Sequence, residues 1–503
     1  MIFYITGNKV NQYGASDPLL SLPTSQVLVQ TGHPQLTHLQ NHQITVDGRI
    51  LEDVVDRHQA TRINGEIIDY FPAGPAIITL PLTWVLTEAG YDLVDPNINM
   101  AVQNRLAFIT AATAFLLIFI LARFWFKPWS ALGLAVVFFF GSVIFSTLGS
   151  AFWSLNYTTI FNLAVVVILV YKSHFIKDDT HQVSIGVLLG LLLFLSFFCR
   201  VSSVAIIVTT LAFLALTDFK QAVITGLTAL FCLSLFVWWS LVEYGLILPP
   251  YYGLSRLDDA PVAMWVGILG NLFSPSRGIY VFMPWLILPT VLALTRPRLW
   301  KNKLFLYGFA WFVIQLIIVG RAVIWWGGGS YGPRLLVEAM PAILLIVLIT
   351  LDESRDITPQ QSKLVFLFFV AAGTISIWSH SWQAFFNPYT AGYWHDAAPA
   401  VVGEPTQDLG PYFEWSAAQW RADEHMVCNL DQVNYQQRIL PFENSLEPIQ
   451  ANEVVYFRAD KYQLFRERAL YEVVQGERLS PFEPDTGNLA LFEGMYVFKG
   501  GGR

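Results

Sequence analysis

Charge is scarce in this sequence. Only 13% of its 503 residues are Asp, Glu, Lys or Arg, where a soluble domain carries roughly 25%, so most of the chain cannot be hydrated surface. Cysteine is scarcer still. Of the three present, Cys199 and Cys232 lie inside apolar runs and Cys428 stands alone in a polar stretch, which excludes a disulfide framework and a Cys-based zinc site within one chain. His33, His38 and His42 recur in the N-terminal region without a helical metal-binding spacing. No Lys/Arg block offsets the net charge of −7, and without a basic face a nucleic-acid partner is excluded. The absence of a P-loop, a GxGxxG and a GxSxG elbow leaves nucleotide-driven pumping and serine hydrolysis without support.

What is abundant is apolar. Hydrophobic residues make up 54% of the chain, with 17 Trp and 38 Phe, a composition suited to lipid-facing helices with interfacial aromatic belts. A bilayer core about 30 Å thick needs roughly 20 apolar helical residues. Runs of about that length recur over 102–124, 129–149, 156–172, 182–199, 201–217, 221–243, 279–295, 304–320, 335–351 and 364–380. The expected fold is therefore an α-helical polytopic membrane protein with about ten visible transmembrane helices. Alternate connections carry Arg123 and Lys127, Lys172 and Lys177, Lys220, then Arg296, Arg298, Lys301 and Lys303, and last Arg355 and Lys363. The positive-inside rule makes these cytoplasmic.

That orientation puts residues 1–101 outside as a large first extracytoplasmic loop with surface helices. The transmembrane domain is 102–380, and a small α+β outer domain follows over 381–503. The opening MIFYITGN is too short to span or to direct export, so it is expected to be the final turns of a first helix otherwise missing from this chain. The stretch 72–90 has a span's length, but Pro72, Pro75 and Pro81 favour a shallow surface helix. Asp47-Gly48 and Asn64-Gly65 are turn signals for hairpins within 43–70. In the tail, 453–458 and 489–498 have strand-like patterns.

Polar residues that could carry chemistry collect at the outer ends of the spans. Asp17, in SDPLLSLP, reads either as an N-cap of the following turn or as a general base, which needs only hydrogen-bond reach of an acceptor hydroxyl. Asp69 and Tyr70 open DYFPAGP, where prolines and a glycine stiffen a turn; Asp69 could cap it or help bind substrate. Arginines recur at outer span ends: Arg256, Arg277, Arg321 and Arg334. A guanidinium fork there suits a lipid-borne phosphate and the charge of a departing one, and Arg277 and Arg334 are the stronger candidates. Arg256 and Arg321 read as snorkelling side chains. In WWGGGSYGPR, glycines allow close backbone approach while Trp325, Trp326 and Tyr331 offer flat faces to a sugar ring. An interfacial belt accounts equally for the Trp pair. Arg200, Glu243 and Glu338 are weaker candidates, and Asp258-Asp259 reads as a solvated loop.

Taken together, SDPLLSLP, YFPAGPAIITLP and WWGGGSYGPRLL resemble motifs of the GT-C superfamily of membrane glycosyltransferases, which includes protein O-mannosyltransferases and aminoarabinose transferases. The resemblance covers roughly residues 10 to 380. It implies Asp17 as catalytic base and Arg334 and Arg277 as donor-phosphate contacts; the residues by themselves leave Asp69, Tyr70, Trp325, Trp326, Tyr331, Arg321 and Arg256 as possible substrate contacts. The implied reaction is inverting transfer of a sugar from a polyprenyl-phosphate carrier to an acceptor hydroxyl of a glycan, lipid or protein, at the outer face of a bacterial inner membrane. No cofactor is expected, since arginine can neutralise a single phosphate, although a divalent cation is not excluded. The chain departs from the superfamily pattern in lacking a helix before the first loop, and Pro18 stands where a second acid is common. The alternative is a transporter or flippase of a lipid-linked or small substrate, using the same arginines.

Overall fold

The computed structural model describes residues 1–9, 17–45, 48–55, 59–175, 181–253, 263–322, 325–327, 330–354, 359–387, 415, 419–421, 436–439, 453–458, 479–481 and 495–500. Among these, seven helices are long and apolar enough to cross a membrane: Pro96–Arg123, Ser154–Phe175, Gln182–Cys199, Phe219–Tyr244, Lys303–Arg321, Arg334–Asp352 and Lys363–Phe386. The chain is a polytopic helical membrane protein. Local chemistry sets the helix starts. Asp95 accepts from the backbone N–H groups of Asn97 and Ile98, with Pro96 at the first helical position, so two otherwise orphaned donors are satisfied where the longest span begins.

Three of the ten expected spans are not single long helices. Run 129–149 divides into Pro128–Phe140 and Val143–Leu148, because Ser142 is extended and its hydroxyl caps the second piece through the Ile144 N–H. Run 279–295 breaks at Met283-Pro284, where proline brings no N–H to the ladder. Run 201–217 is a 3-10 turn followed by Val204–Thr217, 14 residues long and shorter than a bilayer crossing requires. A further short apolar helix, Met264–Phe273, lies where no span is expected from the sequence. It packs against Lys303–Arg321.

Small residues let the helices approach. Gly186 and Gly190 form a GxxxG face on Gln182–Cys199 against Phe219–Tyr244. A Cβ on Gly190 would stand 2.6 Å from the Thr225 carbonyl oxygen, and one on Gly186 2.8 Å from Ile224 Cγ2. Lipid tails are as apolar as leucine, so such close backbone packing, rather than hydrophobic expulsion, holds spans together.

The segment before the first long helix packs as a small layer against the helices. Pro18–Thr31 is a helix buried through most of its length, set against Leu80–Glu88 and Gly74–Ile78. The hairpin expected at Asn64-Gly65 is present, with Ala60–Ile63 antiparallel to Glu66–Asp69 and positive φ at Asn64 (53°) and Gly65 (89°), as a two-residue hairpin turn demands. Asp47 lies outside the described residues, but Gln43 and Ile50 bridge across that turn. The stretch 72–90 forms two short helices meeting at Thr79. Leu82, Trp84 and Val85 stand exposed on the second. Ile2–Asn8 is helical and packs on Pro96–Arg123, with Phe3 edge-on to Phe108 at 5.5 Å.

In the tail, Glu453–Arg458 is a strand as expected, while the second is Met495–Gly500. With Gln436–Ile439 and Leu479–Pro481 they form a four-stranded sheet in which Glu453–Arg458 and Met495–Gly500 are the central pair.

Gly190→Leu is expected to lower the thermal midpoint of detergent-solubilised protein, since overpacking of this kind costs about 1–3 kcal/mol. An unchanged midpoint would show that the two helices are not in the close contact described.

Candidate active site

Asp17 begins the helix Pro18–Thr31 without capping it, since its side chain makes no bond to that helix's N–H groups. The capping reading is thereby corrected. Its carboxylate is buried and turns to the start of Ser154–Phe175, where Oδ2 accepts from the Ser154 hydroxyl at 2.5 Å and the Ser154 N–H at 3.2 Å. Among the described residues, no group donates to the other oxygen, Oδ1. A carboxylate at a helix N-terminus is favoured by the helix dipole. The carboxylate is thus held through one oxygen.

Beside it stands Arg200, the residue after Gln182–Cys199. Its Nη1 is 3.9 Å from Asp17 Oδ2 and donates to Ser154 Oγ at 3.3 Å, and its Nε is 2.9 Å from Glu338 Oε1. Glu338 is buried in turn, and its Oε2 accepts from Gln315 Nε2 at 2.7 Å. Asn162 donates to the Glu338 carbonyl at 3.3 Å and accepts from Ser196 at 2.6 Å. One guanidinium therefore stands between two carboxylates, each further fixed by hydrogen bonds. Charges this deeply withdrawn persist only in such company.

The DYFPAGP turn reaches the same place from the other end of the segment before the first long helix. Gly74 lies so close to the end of Gln182–Cys199 that a Cβ would stand 2.5 Å from the Phe198 carbonyl oxygen. That contact seats the turn against the residues preceding Arg200. Asp69 accepts from the Phe71 N–H at 2.9 Å, an Asx turn rather than a helix cap. Loss of solvent around its carboxyl, and secondarily the Asp17 charge, push its pKa well above the usual carboxylate range. Tyr70 and Phe71 pack on Tyr251, with ring centroids 6.0 and 5.8 Å away, and Tyr251 lies near enough to act electrostatically on Arg200.

The glycine-rich loop is held from several directions. Arg334 donates from Nη2 to the Gly327 carbonyl at 2.8 Å and lies over the Trp153 ring, 4.3 Å from its centroid. Trp153 precedes Ser154, so Arg334 and Asp17 meet on adjacent residues of one turn. Lys9 closes the other side of that turn, its Nζ donating to the carbonyls of Gly149 and Ser150. Arg277 is fully buried, and its Nη1 donates to the carbonyls of Ser330 and Gly332 and to Gln419 Oε1.

The two arginines singled out for the donor phosphate thus occupy different settings. Arg334 is only partly buried and reaches the turn that holds Asp17. Arg277 lies behind the loop, where neutral oxygens engage its Nη1. Trp325 and Trp326 are buried, packed inside the protein rather than along an exposed belt. Tyr331 is buried too, its hydroxyl 2.7 Å from Ser379 Oγ. Arg321 is exposed at the end of its helix, consistent with snorkelling, and Arg256 lies outside the described residues.

Lys9, Trp153, Ser154 and Gln419 were not legible as site residues. Arg200 and Glu338 gave a faint signal, an ionisable residue at the edge of an apolar run. Among the described residues, no three His, Cys, Asp or Glu side chains gather as metal ligands.

No family model and no curated protein matches this sequence. Among solved structures, the chain is similar to the crystal structure of ArnT from Cupriavidus metallidurans bound to undecaprenyl phosphate, at 12% identity and a TM-score of 0.43. It is likewise similar to that protein's apo structure, at 12% identity and a TM-score of 0.42. Both alignments cover 99% of this chain and 95% of the other.

The raised pKa of Asp69 has a signed consequence. A carboxyl whose folded pKa exceeds its unfolded one contributes stability that is complete below the unfolded value and lost as pH rises through the folded value. Asp69→Asn keeps the bond from Phe71 N–H and removes the titration. Thermal melts from about pH 4 to about pH 9 should show wild type losing stability relative to Asp69→Asn as pH rises. Parallel curves would mean that Asp69 titrates normally.

Proposed function

We propose that this chain is a membrane glycosyltransferase that moves a sugar from a polyprenyl-phosphate carrier to an acceptor hydroxyl at the outer face. The observation that carries the reading is Asp17, a buried carboxylate fixed through one oxygen on Ser154, with Arg200 3.9 Å away and Arg334 on the adjoining Trp153. A proton acceptor and cationic groups for a leaving anion are the two requirements of transfer from a lipid phosphate.

In the proposed step the acceptor O–H gives its proton to Asp17 Oδ1. The acceptor oxygen forms a bond to the anomeric carbon as the bond from that carbon to the carrier phosphate oxygen breaks. The electron pair departs with the phosphate, and attack opposite the leaving group inverts the centre. Arg334, with Arg200, meets the charge that develops there, and arginine suits it because its planar fork can hold two phosphate oxygens at once. Asp69, with Tyr70, forms the neighbouring wall of the acceptor side. Arg277 supports the site by fixing the glycine-rich loop.

The outer-face placement has its own support. Ser154 begins a helix of 22 residues whose last turn carries Lys172. The candidate site and a basic end, of the kind the positive-inside rule assigns to the cytoplasm, are thus separated by about 30 Å, the thickness of the hydrocarbon core.

Asp17→Asn keeps an oxygen for Ser154 and removes the base. Purified protein carrying it is expected to bind undecaprenyl phosphate as wild type does while transferring sugar about 100- to 10,000-fold more slowly. Transfer at the wild-type rate by folded, carrier-binding Asp17→Asn would end the assignment. Arg334→Ala should do the reverse and weaken carrier binding first.

A further inference from the structure

Among the described residues, Gln419 of the C-terminal region touches the candidate site. Gln419, in the short 3-10 turn Gln419–Arg421, is fully buried. Its Oε1 accepts from Gly332 N–H at 2.9 Å and from Arg277 Nη1 at 3.0 Å, and its Nε2 donates to the Ser330 carbonyl at 3.2 Å. Trp420, the next residue, packs against the hydrophobic core of the spans. An amide is the side chain that can accept at one end and donate at the other, and here both ends are used on a single loop.

That loop bears Arg334. Its backbone N–H donates to the Gly332 carbonyl at 2.9 Å, and the same carbonyl accepts from Arg277 at 3.1 Å. The backbone that aims the Arg334 guanidinium at Trp153 is thus gripped at residue 332 through both its N–H and its carbonyl. Gly332 has positive φ (62°), a conformation that glycine adopts freely and that leaves the segment dependent on outside contacts for a fixed path.

We propose that Gln419 is a positioning residue for the candidate site. It holds the glycine-rich loop in the conformation that presents Arg334, so the C-terminal segment is an integral part of the site rather than an independent appendage. The carrier-phosphate part of this inference rests on the proposed function. The loop-holding part does not.

The test uses full-length protein in lipid nanodiscs and two independent readouts: hydrogen–deuterium exchange of the 330–336 backbone, and binding of undecaprenyl phosphate. Gln419→Met preserves length and volume and removes the amide. It is expected to speed exchange at 330–336 about tenfold, the effect of losing hydrogen bonds of ordinary strength, and to weaken carrier binding by a similar factor. Gln419→Glu keeps the acceptor for Gly332 and Arg277 but loses the donor to the Ser330 carbonyl, so it should restore part of both properties, with exchange and carrier binding between those of wild type and Gln419→Met. Unchanged exchange in Gln419→Met overturns the proposal, as does failure of Gln419→Glu to rescue. Faster exchange with undiminished carrier binding leaves the loop-holding role standing and overturns Arg334 as a carrier contact. Should Gln419→Met not fold, Gln419→Ala and Gln419→Glu carry the same comparison.

Discussion

Arg200 cannot stand at the end of an apolar helix unless acidic partners come to it, and that requirement organises the end of the molecule around it. Glu338 reaches it from the start of Arg334–Asp352, Asp17 from the segment before the first long helix, and Ser154 from the start of a third helix. Gln315 fixes Glu338 from a fourth helix. Four spans and a surface segment are thereby tied at one depth by groups that lose their water together. Removing one partner would leave an uncompensated buried charge, which costs far more than an ordinary contact.

The same arrangement defines a division of labour among basic residues. Arg277 and Arg334 look alike in the sequence, each beside glycine, serine or proline near an outer span end. Burial separates them. Arg277 is enclosed and grips backbone oxygens, while Arg334 keeps partial exposure and lies flat on Trp153. Each also donates to a carbonyl of the glycine-rich loop, and spacing along the chain carries no information about which of the two is enclosed.

Close backbone contact recurs as the means of placing polar groups. Gly74 sets the DYFPAGP turn against the carbonyl of Phe198, two residues before Arg200. Gly186 and Gly190 bring the helix that bears Arg200 against Phe219–Tyr244. The precision of the polar cluster depends on these apolar contacts, because helices held only by larger side chains would sit further apart.

Much of the fold follows from the sequence by itself. Hydropathy run length marks seven long helices because a bilayer imposes a minimum apolar length, and Asn64-Gly65 marks a hairpin because few residue pairs accept positive φ. Charge asymmetry separates a basic end of the spans from the end bearing the candidate chemistry. Hydropathy alone does not reveal that 129–149 and 279–295 are broken helices, since it continues across Ser142 and Pro284. Nor could it tell whether Asp17 caps the helix that follows it or turns elsewhere. That choice was made by Ser154, 137 residues away, just as Gln419 grips a loop 87 residues earlier. Composition and periodicity report how a segment meets its solvent, whereas the direction of one carboxylate depends on which donors the packed helices bring within 3 Å, and only the tertiary structure decides that.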